Sequence, residues 1–303
     1  MKKKFRQVNF REDSLGKIHQ MVSIVEEYQG QGLRLTARQL YYQFVSRDLI
    51  PNVPSEYKKL TALLTDARYA GLVDWNAIED RGRVPDVTSD WPCISSLVDS
   101  ALFAYRLPRW SNQPSYAELW VEKQALAGVL LPLAREFHVP LMVNKGYSSA
   151  SAMFESADRI ARATGGQVSS LHAKPVTIFY LGDHDPSGED MVRDIETRLV
   201  EFGCGTLFVD KIALTMDQVK EYNPPPNPAK ISDPRAKAYI EKFGDSSWEV
   251  DALPPDVLAQ LIRSAFEGII DGAALDEIKQ KEEDDKQWLK DRLKKSPKKS
   301  KKG

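Results

Sequence analysis

The sequence predicts an α/β protein in which a helical N-terminal module precedes a parallel β-sheet. From residue 116 to residue 213, short apolar runs alternate with amphipathic segments of helical spacing. Such alternation is typical of a doubly wound parallel sheet. From residue 13 to residue 83, helical segments are accompanied by short β candidates, which indicates a helix-turn-helix or winged-helix module. An unrelated helical cap is the alternative for this first part.

The N-terminal helices are predicted from apolar spacing and from caps. Residues 13–30 repeat Leu, Ile, Met and Val at helical intervals, which predicts a first helix. Thr36 is placed to cap a second helix over 37–45, and a third helix is predicted over 55–69. Short strands are predicted around 72–75 and 78–80.

The second part contains the predicted sheet. Strands are expected over 116–121, 140–144, 175–181 and 206–213. Helices are expected over 126–137, 148–163, 188–202 and, further on, 255–270. Because crossover connections between parallel strands are right-handed, the carboxyl ends of these strands meet at one edge of the sheet.

Composition indicates a soluble protein without a membrane anchor. The chain has 303 residues, 42% hydrophobic and 28% charged, with a net charge of −1. No apolar run reaches the ~18 residues that span a bilayer, and no apolar stretch follows the basic N-terminus, so we expect no signal peptide. Cys93 and Cys204 are far apart, which favours reduced thiols and a cytoplasmic location.

These patterns divide the chain into segments. The predicted segments are a basic N-terminal stretch (1–12), the winged-helix domain (13–83), a proline-rich linker with one helix near 94–105 (84–115), the parallel-sheet domain (116–280) and a charged, disordered, lysine-rich tail (281–303). The tail has one acid among many bases between residues 290 and 302. It therefore suits a phosphate backbone, although a merely solubilising role is the alternative.

Two aspartates stand directly after the most apolar predicted strand. Asp183 and Asp185 are one residue apart and precede a Pro-Ser-Gly turn, at the strand end where open α/β sheets bind ligands. At ~4 Å and an effective dielectric near 20, two such charges repel by about 4 kcal/mol. A hard divalent cation, Mg²⁺ or Mn²⁺, would relieve this repulsion.

Glu122 follows a neighbouring predicted strand in the same way. Carboxylates from two strand ends can hold a cation that also binds phosphate oxygens, as phosphoryl-transfer chemistry requires. The sequence therefore predicts a metal site of Glu122, Asp183 and Asp185. For any single carboxylate a loop or helix cap is the alternative, and that alternative is strongest for Asp185.

Three segments resemble the Toprim domain of topoisomerases, primases and certain nucleases. They are the Glu122 strand, residues 143–149 and the Gly-Asp-His-Asp-Pro-Ser-Gly segment at 182–188. The last form is similar to the A subunit of topoisomerase VI and its meiotic double-strand-break relatives. The resemblance implies a Rossmann-like domain in which Glu122, Asp183 and Asp185 bind Mg²⁺ during phosphodiester chemistry.

The N-terminal module carries a second resemblance. The segment from Arg38 to Tyr41 and Tyr42 is similar to the Arg-x-x-Tyr-Tyr motif in the winged-helix domain of that family. The resemblance implies that Tyr42 attacks DNA. Arg38 lies on the same helical face, so we expect it to lower the phenol pKa from ~10 and to hold the scissile phosphate. Simple packing of a helix is the alternative for Tyr42 and our interpretation of Tyr41.

The resemblance covers most of residues 30–270 and implies partners. The family acts on double-stranded DNA as a homodimer, with the tyrosine of one subunit against the metal of the other. A separate ATPase B-type subunit supplies ATP hydrolysis in topoisomerase VI, and this chain has no glycine-rich ATP loop. In size the chain resembles the small stand-alone Mini-A members. We therefore expect Mg²⁺-dependent DNA cleavage by tyrosine transesterification, with or without religation.

Two other functions fit the same residues. A Toprim nuclease would hydrolyse DNA with metal-activated water and leave Tyr42 structural. A non-catalytic DNA-binding factor would keep only the basic segments. Further phosphate contacts are expected from cations spread over both domains and the tail, for which solvated side chains and loop salt bridges are the alternative. They are Arg68, Lys123, Lys230, Arg235, Lys294, Lys295, Lys298 and Lys299.

Overall fold

The computed structural model describes residues 2–79, 88–165 and 174–295. The N-terminal module packs three helices around one apolar core that includes Met21, Leu40 and Phe44. Thr36 forms a capping box with Gln39 at the start of the second helix, as the sequence predicts. Its elements are α1 (Glu12–Gly30), β1 (Leu35–Thr36), α2 (Ala37–Ser46), α3 (Pro54–Tyr69) and β2 (Ile78–Glu79).

The β structure of this module differs from the prediction. β1 and β2 pair in parallel over two residues each, whereas residues 72–75 form a turn. Gly71 adopts a φ of 77°, and the Leu72 amide donates back to the Ala67 carbonyl at 2.9 Å. This helix-ending turn uses the backbone that a strand would need. Within residues 2–79 the β pairing is therefore a small parallel bridge, and no antiparallel wing is present there.

The second part is an α/β domain around a four-stranded parallel sheet, in which β4 (Leu141–Val143), β3 (Tyr116–Val121), β5 (Val176–Leu181) and β6 (Leu207–Ala213) lie side by side in that order. This confirms the predicted α/β class with a parallel sheet. β3 lies inside the sheet, and all six of its residues are buried. The core between the sheet and its helices includes Trp120, Leu130, Tyr180 and Ile262. The elements are β3 (Tyr116–Val121), α5 (Ala127–Glu136), β4 (Leu141–Val143), α6 (Ala150–Thr164), β5 (Val176–Leu181), α7 (Pro186–Glu201) and β6 (Leu207–Ala213), with α4 (Ile94–Ala104) preceding them.

The chain after β6 returns to the carboxyl edge of the sheet. His184 and Trp248 exchange backbone hydrogen bonds at 2.9 and 3.0 Å, so residues 248–252 lie across the end of β5. A 3₁₀ turn, Val250–Ala252, follows this bridge. The remaining elements are α8 (Met216–Tyr222), β7 (Asn227–Pro228), α9 (Ala236–Phe243), β8 (Ser246–Ser247), α10 (Pro255–Glu267) and α11 (Gly272–Lys295).

The predicted start of the disordered tail at residue 281 is wrong. α11 continues to Lys295, and Glu282, which the sequence analysis assigns to the tail, is only 2% exposed. Its carboxylate accepts the Leu107 amide at 3.0 Å and pairs with Arg109 and Lys286. The segment after α4, predicted as a linker, is therefore fastened to α11 by one buried acid that local composition does not reveal.

None of the described helices combines the length and the apolarity that crossing a bilayer requires.

Replacing Glu282 with Ala is expected to lower the free energy of unfolding by about 1–3 kcal/mol, because the Leu107 amide and its cationic partners lose their acceptor. Burial alone would raise the pKa of Glu282, but Leu107, Lys286 and Arg109 outweigh it and lower that pKa. The contribution should therefore be present at neutral pH and be lost as the pH falls below about 4.

Urea unfolding of the full chain measures this effect. Glu283→Ala is the matched control, since Glu283 pairs with the same Lys286 but is 65% exposed. Equal losses in the two variants would show that the buried carboxylate does not fasten the linker segment.

Candidate functional site

Asp183 lies just beyond the end of β5, and it is 9% exposed. Its Oδ1 accepts the Val250 amide at 2.9 Å, and its Oδ2 lies 3.1 Å from Lys123 Nζ. Burial raises the pKa of Asp183 to about 7, opposed by Lys123 and reinforced by Glu122 and Asp251. The aspartate that the sequence predicts as a ligand is thus held between the 3₁₀ turn and a lysine.

Asp185 caps the helix that follows. Its Oδ1 accepts the Gly188 amide and the Ser187 hydroxyl, the latter at 2.8 Å, and Pro186 occupies the first turn of α7. A Cβ on Gly188 would lie 2.1 Å from the Asp183 carbonyl oxygen, so the turn accepts glycine alone. Asp185 thus caps α7 through Oδ1, while its Oδ2 lies 3.9 Å from Lys230 Nζ.

Glu122 connects the ends of two neighbouring strands. Its Oε2 accepts the Asp183 amide at 3.0 Å and the Tyr180 hydroxyl at 3.4 Å. β3 and β5 are in register up to Val121 and Leu181, so their following residues meet at the edge. The sequence-predicted carboxylates are therefore brought to the same edge of the sheet.

Two further acids complete this edge, and the sequence analysis missed both. Glu249 and Asp251 flank the start of the 3₁₀ turn. Lys123 Nζ lies 2.8 Å from Glu249 Oε2, 3.2 Å from Asp251 Oδ1 and 3.1 Å from Asp183 Oδ2. The spacing Glu-x-Asp after Trp248, in an otherwise apolar segment, is the signal that could have identified them. Lys123, predicted as a phosphate contact, is the centre of this acidic cluster.

Tyr42 reaches the same cluster from the N-terminal module. Its hydroxyl donates to Glu249 Oε2 at 2.9 Å and accepts from Arg38 Nη2 at 3.3 Å. The residue is 2% exposed. The resemblance implies that the tyrosine faces the metal site of a partner subunit, whereas here the phenol is hydrogen-bonded to Glu249 of its own chain, whose Oε2 also pairs with Lys123.

Arg38 lowers the pKa of the Tyr42 phenol, as predicted, but the expectation of a lowered pKa on balance is wrong. Burial raises the pKa of the phenol, and the carboxylates of Glu249 and Asp251 raise it further, while Arg38 lowers it by less. Sequence spacing placed Arg38 beside the hydroxyl correctly, but it could not show the two acids contributed by residues 207 and 209 positions later. The free phenol is thus a protonated, buried donor.

Arg38 is held by both acids of the turn. Nη2 donates a hydrogen bond to Glu249 Oε2, and Nε lies 3.4 Å from Asp251 Oδ2. That second pair is close but poorly aligned, so neither atom has a hydrogen-bond partner among the described residues. Asp251 is 1% exposed, and burial raises the pKa of its carboxyl. Asp251 is therefore a buried acid that pairs with both Arg38 and Lys123.

The pKa of Glu249 moves in the opposite direction. Burial alone would raise it, but Lys123, Arg38 and the Tyr42 hydroxyl hold the pKa of the Glu249 carboxyl at about 2. Glu249 is therefore ionised throughout the neutral range.

A divalent cation at this edge of the sheet would be held by Glu122, Asp183 and Asp185. Their oxygens are the donors that Mg²⁺ prefers. The pKa of Asp183 is raised mainly by burial, with Lys123 opposing the rise and Glu122 and Asp251 adding to it. Among the described residues, however, no three His, Cys, Asp or Glu side chains are placed together so that they could hold a metal ion. Glu122, Asp183 and Asp185 therefore match the cation in charge and donor type but are not gathered as a set of three ligands, and Lys123 supplies the local positive charge.

A second network supports the loop between the two aspartates. His184 Nδ1 lies 2.7 Å from the Tyr239 hydroxyl, which donates to the His184 carbonyl at 2.9 Å. Lys211 Nζ donates to the Asp183 carbonyl at 2.7 Å and pairs with Glu189. His184 is buried, at 1% exposed. Tyr239 and Lys211 hold the backbone on which Asp183 stands.

Three other cations predicted as phosphate contacts, Arg235, Lys230 and Arg68, contact groups of the protein itself. Arg235 pairs with Asp190 at 3.1 Å and with Asp233 at 2.8 Å, so the loop salt-bridge alternative is confirmed for it. Lys230 is 77% exposed near Asp185. Arg68 donates to the Trp75 carbonyl at 2.9 Å and stacks on its ring, as a packing residue does.

The four tail lysines predicted as phosphate contacts lie on both sides of the end of α11. Lys294 and Lys295 belong to the last turn of α11, and Lys298 and Lys299 lie outside the described residues.

Comparison with models of protein families and with curated proteins gave no match for this chain. The resemblance to the topoisomerase VI A subunit therefore rests on the sequence motifs alone.

Replacing Glu249 with Gln is expected to lower the pKa of Tyr42, because one of the two carboxylates that stabilise the neutral phenol loses its charge. In the unsubstituted chain Tyr42 should stay protonated at the pH where ordinary tyrosines ionise, about 10. Titration of the tyrosine absorbance, with Tyr42→Phe as the reference for the other tyrosines, measures the shift. Glu201→Gln, at an exposed surface position, should leave the titration unchanged; an equal shift in both variants would exclude the direct contact as the cause.

Proposed function

We propose that this protein is a DNA-cleaving transesterase of the topoisomerase VI A-subunit type. The N-terminal module would act as its winged-helix DNA-binding domain and the α/β domain as its Toprim domain. One observation carries the proposal. The Tyr42 hydroxyl, with Arg38 beside it, lies two hydrogen bonds from Lys123 at the carboxylate edge of the parallel sheet. A nucleophile, two cations and a carboxylate edge thus converge.

The chemistry follows from these groups. The Tyr42 oxygen attacks phosphorus of a DNA phosphodiester and loses its proton to solvent. One ester oxygen leaves, takes up a proton and becomes a free hydroxyl at the nick. Arg38 and Lys123 offset the charge that grows on the phosphate oxygens. The phenolate is a better leaving group than an alkoxide, so the covalent link retains the energy needed for religation.

Glu122, Asp183 and Asp185 would hold Mg²⁺ or Mn²⁺. When bound, such an ion supplies Lewis-acid stabilisation of phosphate charge. The residues of the chain bind and orient the DNA: Lys123 binds phosphate, and the bridge between His184 and Trp248 keeps the 3₁₀ turn against the sheet.

Cleavage of both strands of a duplex needs two tyrosines, and each chain carries one in this site. We therefore propose a homodimer with two-fold symmetry, which matches the symmetry of the DNA backbone. The proximity of Tyr42 to Lys123 in one chain allows each protomer to carry a complete set of groups. A separate ATPase B-type subunit is a further partner that the resemblance implies.

Hydrolysis by a Toprim nuclease is the second candidate. The observation that favours it is the burial of Tyr42, with a raised phenol pKa, which a purely structural tyrosine would also show. Water would then be the nucleophile, and no covalent bond between protein and DNA would form. A non-catalytic DNA-binding factor would show neither activity.

Incubation of the protein with labelled duplex DNA and Mg²⁺ should give protein-linked DNA on denaturing gels. Tyr42→Phe should abolish the adduct, since no other oxygen replaces the lost hydroxyl. Tyr41→Phe is the matched control, because the neighbouring hydroxyl bonds Asn52 instead, and this variant should retain the adduct. Cleavage without any adduct, unchanged in Tyr42→Phe, would establish hydrolysis instead.

Chelation of divalent ions, or Asp185→Ala, should reduce cleavage by about 100-fold or more, the loss typical when one group that stabilises transition-state charge is removed. Asp210→Ala, at an exposed position on β6, should cleave normally. Rates are measured with excess enzyme on the same duplex. Undiminished cutting by the chelated enzyme would exclude a metal role.

A further inference from the structure

Three donors converge on one oxygen of Glu249. Tyr42 Oη lies 2.9 Å from Oε2 and Lys123 Nζ lies 2.8 Å from it. Arg38 Nη2 donates a hydrogen bond to the same oxygen. These donors come from α2 and from the end of β3, which are distant in sequence. Such convergence of two cations and a hydroxyl on one anionic oxygen is characteristic of an oxyanion-binding site.

The geometry points to a phosphodiester subsite. We propose that Arg38, Lys123 and Tyr42 bind one non-bridging oxygen of a DNA phosphodiester, and that the Glu249 carboxylate occupies this place as an internal stand-in until DNA displaces it. This inference rests on the proposed function, since it names the group by which that site receives its substrate.

Charge supports the exchange of one group for the other. A carboxylate and a phosphodiester each carry one negative charge, so replacing one by the other leaves the balance around Arg38 and Lys123 unchanged. Both cations would lose their attraction to Oε2 if Glu249 left this position without replacement by another anion. Departure of Glu249 is therefore coupled to arrival of another anion.

The exposed fractions of the Glu249 and Asp251 side chains indicate which of the two acids DNA can displace. The Glu249 side chain is 24% exposed, whereas that of Asp251 is 0% exposed. The Arg38 side chain is also partly exposed, at 41%. Asp251 contacts both cations and remains in place when Glu249 moves outward. In the proposed subsite Asp251 stays in place as the buried partner of both cations, and Glu249 is the carboxylate that DNA displaces.

The exchange also explains how the buried Tyr42 phenol meets its substrate. While Glu249 is in place, the Tyr42 hydroxyl donates to a carboxylate and has no phosphorus to attack. When a diester oxygen takes the position of Oε2, the same hydrogen bond brings the phenol oxygen against the phosphate group. Only bound substrate therefore places the nucleophile next to its target.

The test measures binding of dimethyl phosphate, a diester with one negative charge, by ³¹P NMR titration of the full chain. Glu249→Gln should bind it about tenfold more tightly than the unsubstituted protein, because the competing internal anion is gone. Glu201→Gln changes the net charge equally at an exposed position and should bind as the unsubstituted protein does. Equal affinities in all three proteins would overturn the proposal.

The double variant Arg38→Gln with Glu249→Gln tests whether the added affinity for dimethyl phosphate depends on Arg38. It should lose the added affinity, since Arg38 is one of the three donors. If the gain persists in the double variant, the diester binds elsewhere and the inference is wrong.

A measurement on the unsubstituted chain covers the case in which Glu249→Gln does not fold. Carbodiimide coupling of carboxylates, read by mass spectrometry, should modify Glu249 more in the presence of dimethyl phosphate, because the displaced side chain becomes accessible. Unchanged labelling of Glu249 at saturating diester would overturn the proposal.

These outcomes are independent of cleavage. If Glu249→Gln gains diester affinity through Arg38 but Tyr42-linked DNA is never recovered, the subsite stands and the proposed transesterase does not. If the adduct forms while diester binding ignores Glu249, the proposed function stands and the stand-in role is wrong.

Discussion

The ammonium group of Lys123 is the point on which the site depends. It lies within 3.2 Å of oxygens from Asp183, Glu249 and Asp251, of which Asp183 and Asp251 are almost fully buried. Carboxylates brought so close together repel one another unless a cation stands between them. Because removal of one partner from a buried pair leaves an uncompensated charge, Lys123 fixes where the end of β5 and the 3₁₀ turn lie relative to β3.

The same cluster joins the two modules of the chain. α2 packs on the 3₁₀ turn, and Ala252 from that turn belongs to the apolar core of the N-terminal module. The polar contacts of Arg38 and Tyr42 with Glu249 therefore lie over a small apolar contact that excludes water. In this setting each hydrogen bond to a charge is stronger than at an exposed surface. The environment of the phenol is thus set by residues near the other end of the chain.

The regular elements were largely predictable because they depend on local pattern. The four sheet strands and their helices appear within a few residues of the expected bounds, since alternation of apolar runs and caps such as Thr36 act over short distances. The predictions that were wrong depend on contacts between segments that are distant in sequence. The lysine-rich segment after residue 281 reads as solvated, yet α11 extends through most of it, because Glu282 finds partners on the segment after α4.

The sequence by itself determined the parallel sheet, the position of Glu122, Asp183 and Asp185 at its carboxyl edge, and the placement of Arg38 one helical turn before Tyr42. Each of these follows from strand ends or from helical spacing, which are local. Only the tertiary structure decided that Glu249 and Asp251 join the edge, that Lys123 lies among the acids, and that Tyr42 is buried with a raised pKa. Those outcomes depend on which distant segments share a low-dielectric contact, because charge interactions act through space and not along the chain.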